Sequence, residues 1–293
     1  MTRTITSCFA VLVLTVITMA PRAAHAAQSY DNCTGFITSL PAVISTQGTW
    51  CLKQDLATAI TSGNAIDIQT NNVTLDCNDF KLGGLAAGLA TTAIGVHTMD
   101  HVNLTVRHCN IRGFFAGVLL TATTASSGGG HLVEDNRFDG NTSLGIGVKG
   151  DGSVIRRNRV FDTGGSTAFA DAYGIATGYS TDILDNIVAG VLARSGGGGN
   201  AYGIDASANT SGRISGNGVH DVVKDGSGIA KGIYNTGSDR ISLRDNDVVG
   251  DGSTGSAGLT CTNANGSARD NVISNFITGI DTCTDSGGNS ILP

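Results

Sequence analysis

The chain has 293 residues, 42 of them Gly and 3 Pro, with 18 basic against 24 acidic side chains. A formal charge of −6 argues against nucleic acid or an anionic membrane as the main partner. So much Gly, with no sustained 3.6-residue apolar period, argues against a helical solenoid.

Residues 1–26 read as a secretory signal, with Arg3 ahead of an apolar run to about Ala20 and a small-x-small cleavage site ending at Ala26. The run is too short to span a bilayer, so the expectation is a secreted or periplasmic chain with no membrane insertion. Loss of Arg3 and Arg22 leaves 16 basic residues (18 − 2) against 24 acidic, a charge of −8. Residues 27–65 read as an N-terminal cap, with Asp55–Ile60 predicted as a short helix over an open apolar end. Ile66 and Ile68 are expected to begin the first strand of a domain running to residue 285. Residues 286–293 are left as a tail.

Within that domain one phrase recurs eight times: an apolar residue, two variable residues, Asn, a variable residue, and another apolar residue. The Asn positions are Asn78, Asn136, Asn158, Asn186, Asn217, Asn246 and Asn271, with Cys109 in place of Asn in the second copy. Their period averages about 28 residues, (271 − 78)/7, within the range of repeat architectures. A second phrase, Gly followed by an aliphatic, falls once after each copy, from Gly95-Val96 to Gly279-Ile280. Two short apolar segments around Asn predict two strands meeting at a corner, with Asn taking the left-handed conformation and stacking as a ladder. The Gly phrase predicts a third strand. Three strands per turn make a single-domain, all-β parallel solenoid of about eight coils with an apolar interior.

With this repeat, the opening segment Thr49–Leu56 and the run Asn72–Asn78, the chain resembles the pectin-lyase-like right-handed parallel β-helix family over roughly residues 48–285. The resemblance implies a secreted protein that acts on or binds polysaccharide, with substrate lying across the Gly-aliphatic sheet. Within that family, β-elimination or epimerisation of an acidic uronate glycan is the expected activity. A non-catalytic β-helix for glycan binding or cell-surface structure is the alternative. Tyr202-Gly203-Ile204-Asp205 is similar to the Tyr-Gly-Phe-Asp of alginate C5-epimerases, with Ala206-Ser207 where Pro-His would follow. Paired-Asp and Gly-His-Gly signatures of polygalacturonases are absent.

Six cysteines remain after processing, which suits an oxidising compartment and allows 15 pairings. Their phase in the repeat selects Cys33–Cys51 in the cap, Cys77–Cys109 on the first two coils and Cys261–Cys283 on the last two. Adjacent coils about 4.8 Å apart suit the Cα separation a disulfide needs. The acidic set is almost entirely Asp, with Glu134 the one Glu, as solenoid turns favour; calcium remains open as a cofactor.

The residue after each Gly-aliphatic pair should face outward: His97, Leu119, Lys149, Ala176, Asp205, Tyr234, Thr260 and Asp281, taking Gly147-Val148 as the pair of coil three. Lys149, Asp205 and Tyr234 are the candidate catalytic residues, since proton abstraction beside a uronate carboxylate needs a base and a cation. His97, Tyr173, Tyr202 and Lys231 are candidate substrate-binding residues through charge or ring stacking. Loops between the two phrases are short in coils two and three and long in coils four to seven, which predicts a wall beside a notch. Before the Asn corner, Asp76, Arg107, Glu134 and Arg156 predict a cross-strand charge ladder, with Glu134 and His108 as an alternative acid/base pair.

Overall fold

A computed structural model of the chain describes residues 30–194, 196–237, 241–262 and 266–293, with the backbone alone at 209 and 210. The expected signal segment and Ser195 lie outside the described residues. Residues 33–293 form one compact unit, and no described helix is long and apolar enough to cross a membrane.

That unit is a right-handed parallel β-helix. Each strand pairs in parallel with its equivalent one coil away. Ten strands form one sheet and nineteen the other, because Ala172–Leu184 and Ala201–Ser215 run unbroken from the Gly-aliphatic face into the face before the Asn corner. The repeat's apolar positions stack in register: Leu75, Val106, Val133, Ile155, Ile183, Ile214, Leu243 and Ala268 form one fully buried column. Beyond the corner a second column runs through Leu82, Ile111, Phe138, Val160, Val188, Val219, Val248 and Ile273. Each larger aliphatic among these contributes about 1.5–3 kcal/mol by burial.

The two phrases interlock. A Cβ on Gly174 would collide with Val188 Cγ1 and the carbonyl of Gly203; on Gly203 it would meet Val219 Cγ1 and the carbonyl of Gly232. The apolar residue that ends each Asn phrase therefore occupies the space that the Gly leaves free.

The Asn ladder differs from expectation in three places. Asn136, Asn158, Asn186, Asn217, Asn246 and Asn271 do stack. Each Nδ2 donates to the Oδ1 of the next, at 2.9–3.0 Å, and to a strand carbonyl of the coil before. Asn289 adds a rung, 2.9 Å from Asn271 Nδ2, and Ser290–Leu292 pairs with Val272–Ser274, so the expected tail is further solenoid. Asn78 is off the ladder, donating instead to the Leu52 carbonyl. Its corner uses four residues (77–80) where coil two uses two (108–109), and Leu82 rather than Phe80 aligns with Ile111. Finally, the left-handed residue is not the ladder Asn but the one before it: His108, Asp135, Arg157, Asp185, Asp245 and Asp270, with φ of 51–56°. The Asn side chain thereby turns inward, where a left-handed Asn would not place it.

All three expected disulfides are present, with Cα separations of 5.9, 4.7 and 4.8 Å for Cys33–Cys51, Cys77–Cys109 and Cys261–Cys283. The helix predicted at 55–60 is absent. Leu56–Ala57 is a strand paired with Leu82–Gly83, and six residues are too few to sustain a helix once Leu56 is buried in the end of the core. Strands Gly35–Ile37, Ala42–Ile44 and Gly48–Leu52 extend the solenoid ahead of Ile66.

Candidate functional site

The Gly-aliphatic strands form one face along the solenoid. Its outward row reads Asp67, His97, Leu119, Gly147, Ala176, Asp205, Tyr234, Thr260 and Asp281. In coil three Gly145-Ile146, not Gly147-Val148, aligns with its neighbours, because Ile146 is level with Val118 and Ile175. Lys149 therefore lies two residues further along its strand, opposite Gly178. Its side chain still borders the row, lining the same depression as Leu119, Ala176 and Asp205, and its charge acts on Asp205. Small residues at Gly147, Ala176 and Ala208 leave a groove of about 290 Å³ bounded by Leu119, Lys149, Asp205 and Ser207.

Asp205 is the strongest titratable candidate in this groove. Burial raises its pKa from the ordinary Asp value, while the Ser207 N–H at 2.8 Å and the charge of Lys149 offset part of that. A partly desolvated carboxyl beside one cation can hold or release a proton nearer neutrality than a solvated Asp can.

The tyrosines form a row of another kind. Tyr173 stacks on Tyr202 with centroids 5.1 Å apart and planes at 8°, and Tyr202 lies 5.3 Å from Tyr234 at 36°. Tyr173 and Tyr202 thus each give one ring face to the other. Burial pushes the Tyr202 phenol up to about 12, with the charges of Asp171 and Asp205 adding to it, and raises Tyr173 and Tyr234 as well. All three phenols are thus held in the protonated form at neutral pH. Lys231 Nζ sits 3.6 Å from Asp281 Oδ2, so its charge is already partnered.

His97 lies at the N-terminal end of the face. Its Nδ1 is 2.8 Å from Asp67 Oδ1, and Asp67 also accepts from Asn64 Nδ2 at 2.9 Å and Gln69 Nε2 at 2.7 Å. Asp67 escaped the sequence reading because its strand carries no Gly phrase, although the alternation in Ile66-Asp67-Ile68 marks it as outward.

The expected notch is partly closed. The coil-four loop folds back so that Ser166 Oγ donates to the Leu89 carbonyl at 2.7 Å and Phe169 packs edge-on against Phe115 at 4.7 Å. On the face before the corner, Asp76 accepts from Arg107 Nε at 2.8 Å and pairs with His108 at 3.2 Å, while Glu134 takes Arg156 and Arg157. His108 and Glu134 are thus committed to different partners, and the acid/base alternative there is not assembled. A trough of about 490 Å³ beside this corner is larger than the groove, but its Arg157 is bound to Asp135 and Glu134. Among the described residues no three His, Cys, Asp or Glu side chains converge as for a metal.

No family model matches the chain, and no curated protein matches it. Solved structures do match in fold. The Dettilon tailspike protein (gp208) is 15% identical, with a TM-score of 0.52 over 88% of this chain and 60% of that one. The alginate lyase from Paenibacillus sp. str. FPU-7 is 12% identical, with a TM-score of 0.45 over 86% of this chain and 97% of that one. The A-module of the Azotobacter vinelandii mannuronan C-5 epimerase AlgE6 is 10% identical, with a TM-score of 0.43 over 89% and 90%. The chain spans 60% of the tailspike's length, and the likeness at this identity is one of fold: a parallel β-helix.

Proposed function

We propose that this chain is an exported polysaccharide-active protein whose groove on the Gly-aliphatic face holds an acidic, uronate-type glycan. The observation that carries the reading is the floor of Gly147, Ala176 and Ala208 between Lys149 and the desolvated Asp205. The floor admits a sugar ring, Lys149 pairs with a uronate carboxylate, and Asp205 lies where a proton beside that carboxylate can be taken. In β-elimination Asp205 accepts the C5 proton, the C4–O bond breaks, and the leaving oxygen takes a proton from a donor such as a rim tyrosine hydroxyl. In epimerisation the same proton is lost and one returns from the opposite face. Three disulfides accord with an oxidising, extracytoplasmic location.

A non-catalytic glycan-binding reading is favoured by one observation: Asp205 Oδ1 already accepts the Ser207 N–H, which suits a fixed acceptor for sugar hydroxyls. Titration against a panel of polyuronates, with and without calcium, tests binding. Ultraviolet absorbance of unsaturated products tests elimination, and NMR of the treated polymer tests epimerisation. Under the catalytic reading Asp205→Asn keeps binding and loses turnover. Turnover absent from the parent, with binding retained, leaves the binding reading. Polyuronate binding unchanged in Lys149→Ala, Asp205→Ala and Tyr234→Ala together removes the groove from consideration.

A further inference from the structure

The Asp67–His97 pair does not line the groove, although Leu119, one strand step from His97, bounds it. Four strand steps separate His97 from Asp205, through Leu119, Gly147 and Ala176, or about 19 Å at about 4.8 Å per step. Both side chains are mostly buried, at 18% and 22% exposure.

The tautomer follows from the distances. His97 Nδ1 has Asp67 Oδ1 at 2.8 Å and Asn64 Nδ2 at 3.0 Å. A carboxylate that close to a ring nitrogen requires a proton between them, so Nδ1 carries the hydrogen and the Asn64 amide donates to Asp67 instead. Desolvation would raise Asp67, but hydrogen bonds from His97, Gln69 and Asn64 outweigh it and hold the carboxyl below its usual range, so it is ionised. Nε2 makes no hydrogen bond to a described residue and is not among the buried unpartnered atoms, so it meets solvent, and in the neutral ring it carries the lone pair. This is the orientation a base needs, with the carboxylate fixing the ring from behind.

The neighbourhood specifies the chemistry. Among the described residues no Ser, Thr or Cys side chain hydrogen-bonds to His97, and its exposed Nε2 is open to water as the nucleophile. Flanking positions on the same face are apolar: Leu119 is level with His97 on the next strand, and Met99, two residues on, is 53% exposed. The groups that fix Asp67 are neutral amides, and no Lys or Arg joins the cluster. The group held directly against Nε2 is therefore an uncharged one, such as a small acyl substituent.

We propose that His97, oriented by Asp67, is a general base that activates water to hydrolyse an O-acyl ester on a glycan lying along this face. The water oxygen bonds to the acyl carbon as Nε2 takes one of its protons. The acyl C–O bond to the sugar then breaks, its electron pair leaves on the sugar oxygen, and that oxygen takes the proton back from Nε2. The products are a carboxylic acid and a free sugar hydroxyl. Nothing is oxidised or reduced.

The test uses the full chain with p-nitrophenyl acetate and with a chemically O-acetylated polyuronate, following acid release. His97→Gln is expected to lower kcat about 100-fold or more, the span of general-base catalysis, with an unchanged thermal midpoint. Asp67→Asn, a change at a positioning residue, should lower kcat, leave KM unchanged and alter the pH profile. His220 provides the control: its Nδ1 is also 2.8 Å from a carboxylate, that of Asp221, but in an exposed setting. Parent hydrolysis no faster than in His97→Gln, or equal loss in His220→Gln, overturns the proposal. The small ester needs no groove, so ester turnover surviving in Lys149→Ala separates a failure of the groove reading from a failure here.

Discussion

At the scale of single residues, the least compensated group is His131. It is 1% exposed, it occupies the inward column between Leu104 and Ser153, and neither ring nitrogen has a hydrogen-bond partner. Burial pushes its pKa down from 6.5 to about 4, with the charge of His101 adding to the shift. The folded state holds the neutral ring, while the unfolded chain takes up a proton below about 6.5. Stability is therefore full above that pH and declines as pH falls toward about 4, by about 3 kcal/mol at most for a shift of this size. Urea midpoints of the parent should fall across that window more steeply than those of His131→Leu; parallel curves would count against this account. Asp205 has the opposite sign. A carboxyl whose folded pKa is raised favours the protonated form, so its ionisation costs stability as pH rises through the folded value. Asp205→Asn should then unfold at the same or slightly higher denaturant at neutral pH, which makes it a clean probe of function.

At the scale of elements, the Asn ladder is the part of the fold most directly written in the chain. Asn186 donates to the Ile155 carbonyl and Asn217 Oδ1, and its own Oδ1 accepts from the N–H and Nδ2 of Asn158. Asn186→Ala strands these buried groups and should cost about 3 kcal/mol or more, whereas Asn78→Ala, off the ladder and partly exposed, should cost under about 1 kcal/mol. Equal losses in denaturant unfolding would contradict the assignment. Six rungs were legible because Asn-x-aliphatic is fixed by the inward turn of the amide. Asn78 was misread because the length of its corner depends on where Leu82 meets Ile111, which no local phrase reveals. Asn289-Ser290-Ile291 carried the same signal but followed no complete preceding phrase. The groove was legible only in part: alternation identified Asp205 and Tyr234 as outward, yet a two-residue slip at Gly147-Val148 misplaced Lys149. The ring-on-ring packing of Tyr173 and Tyr202 and the pairing of Lys231 with Asp281 follow from distances across coils, which sequence does not carry.

At the scale of the whole molecule, a solenoid is held by neighbour-to-neighbour contacts, so its ends open before its middle. The three disulfides lie toward the two ends, none within coils three to six, and the groove runs from Leu119 in coil two to Ala208 in coil five. Cys261–Cys283 joins the Gly-aliphatic strand of one coil to the turn just past that of the next, where Ile277 is 63% exposed and Ile291 is 53% exposed. Closing a loop over a sequence separation of 22 removes about 3 kcal/mol of unfolded-state entropy. In a linear array that sum acts on the coils it ties rather than on the whole. Replacing both cysteines by Ser should therefore raise amide exchange over residues 257–262 and 266–293, leave the Asn158–Asn246 rungs protected, and leave polyuronate affinity unchanged. Exchange rising uniformly along the chain would show instead that the solenoid unfolds as a single cooperative unit.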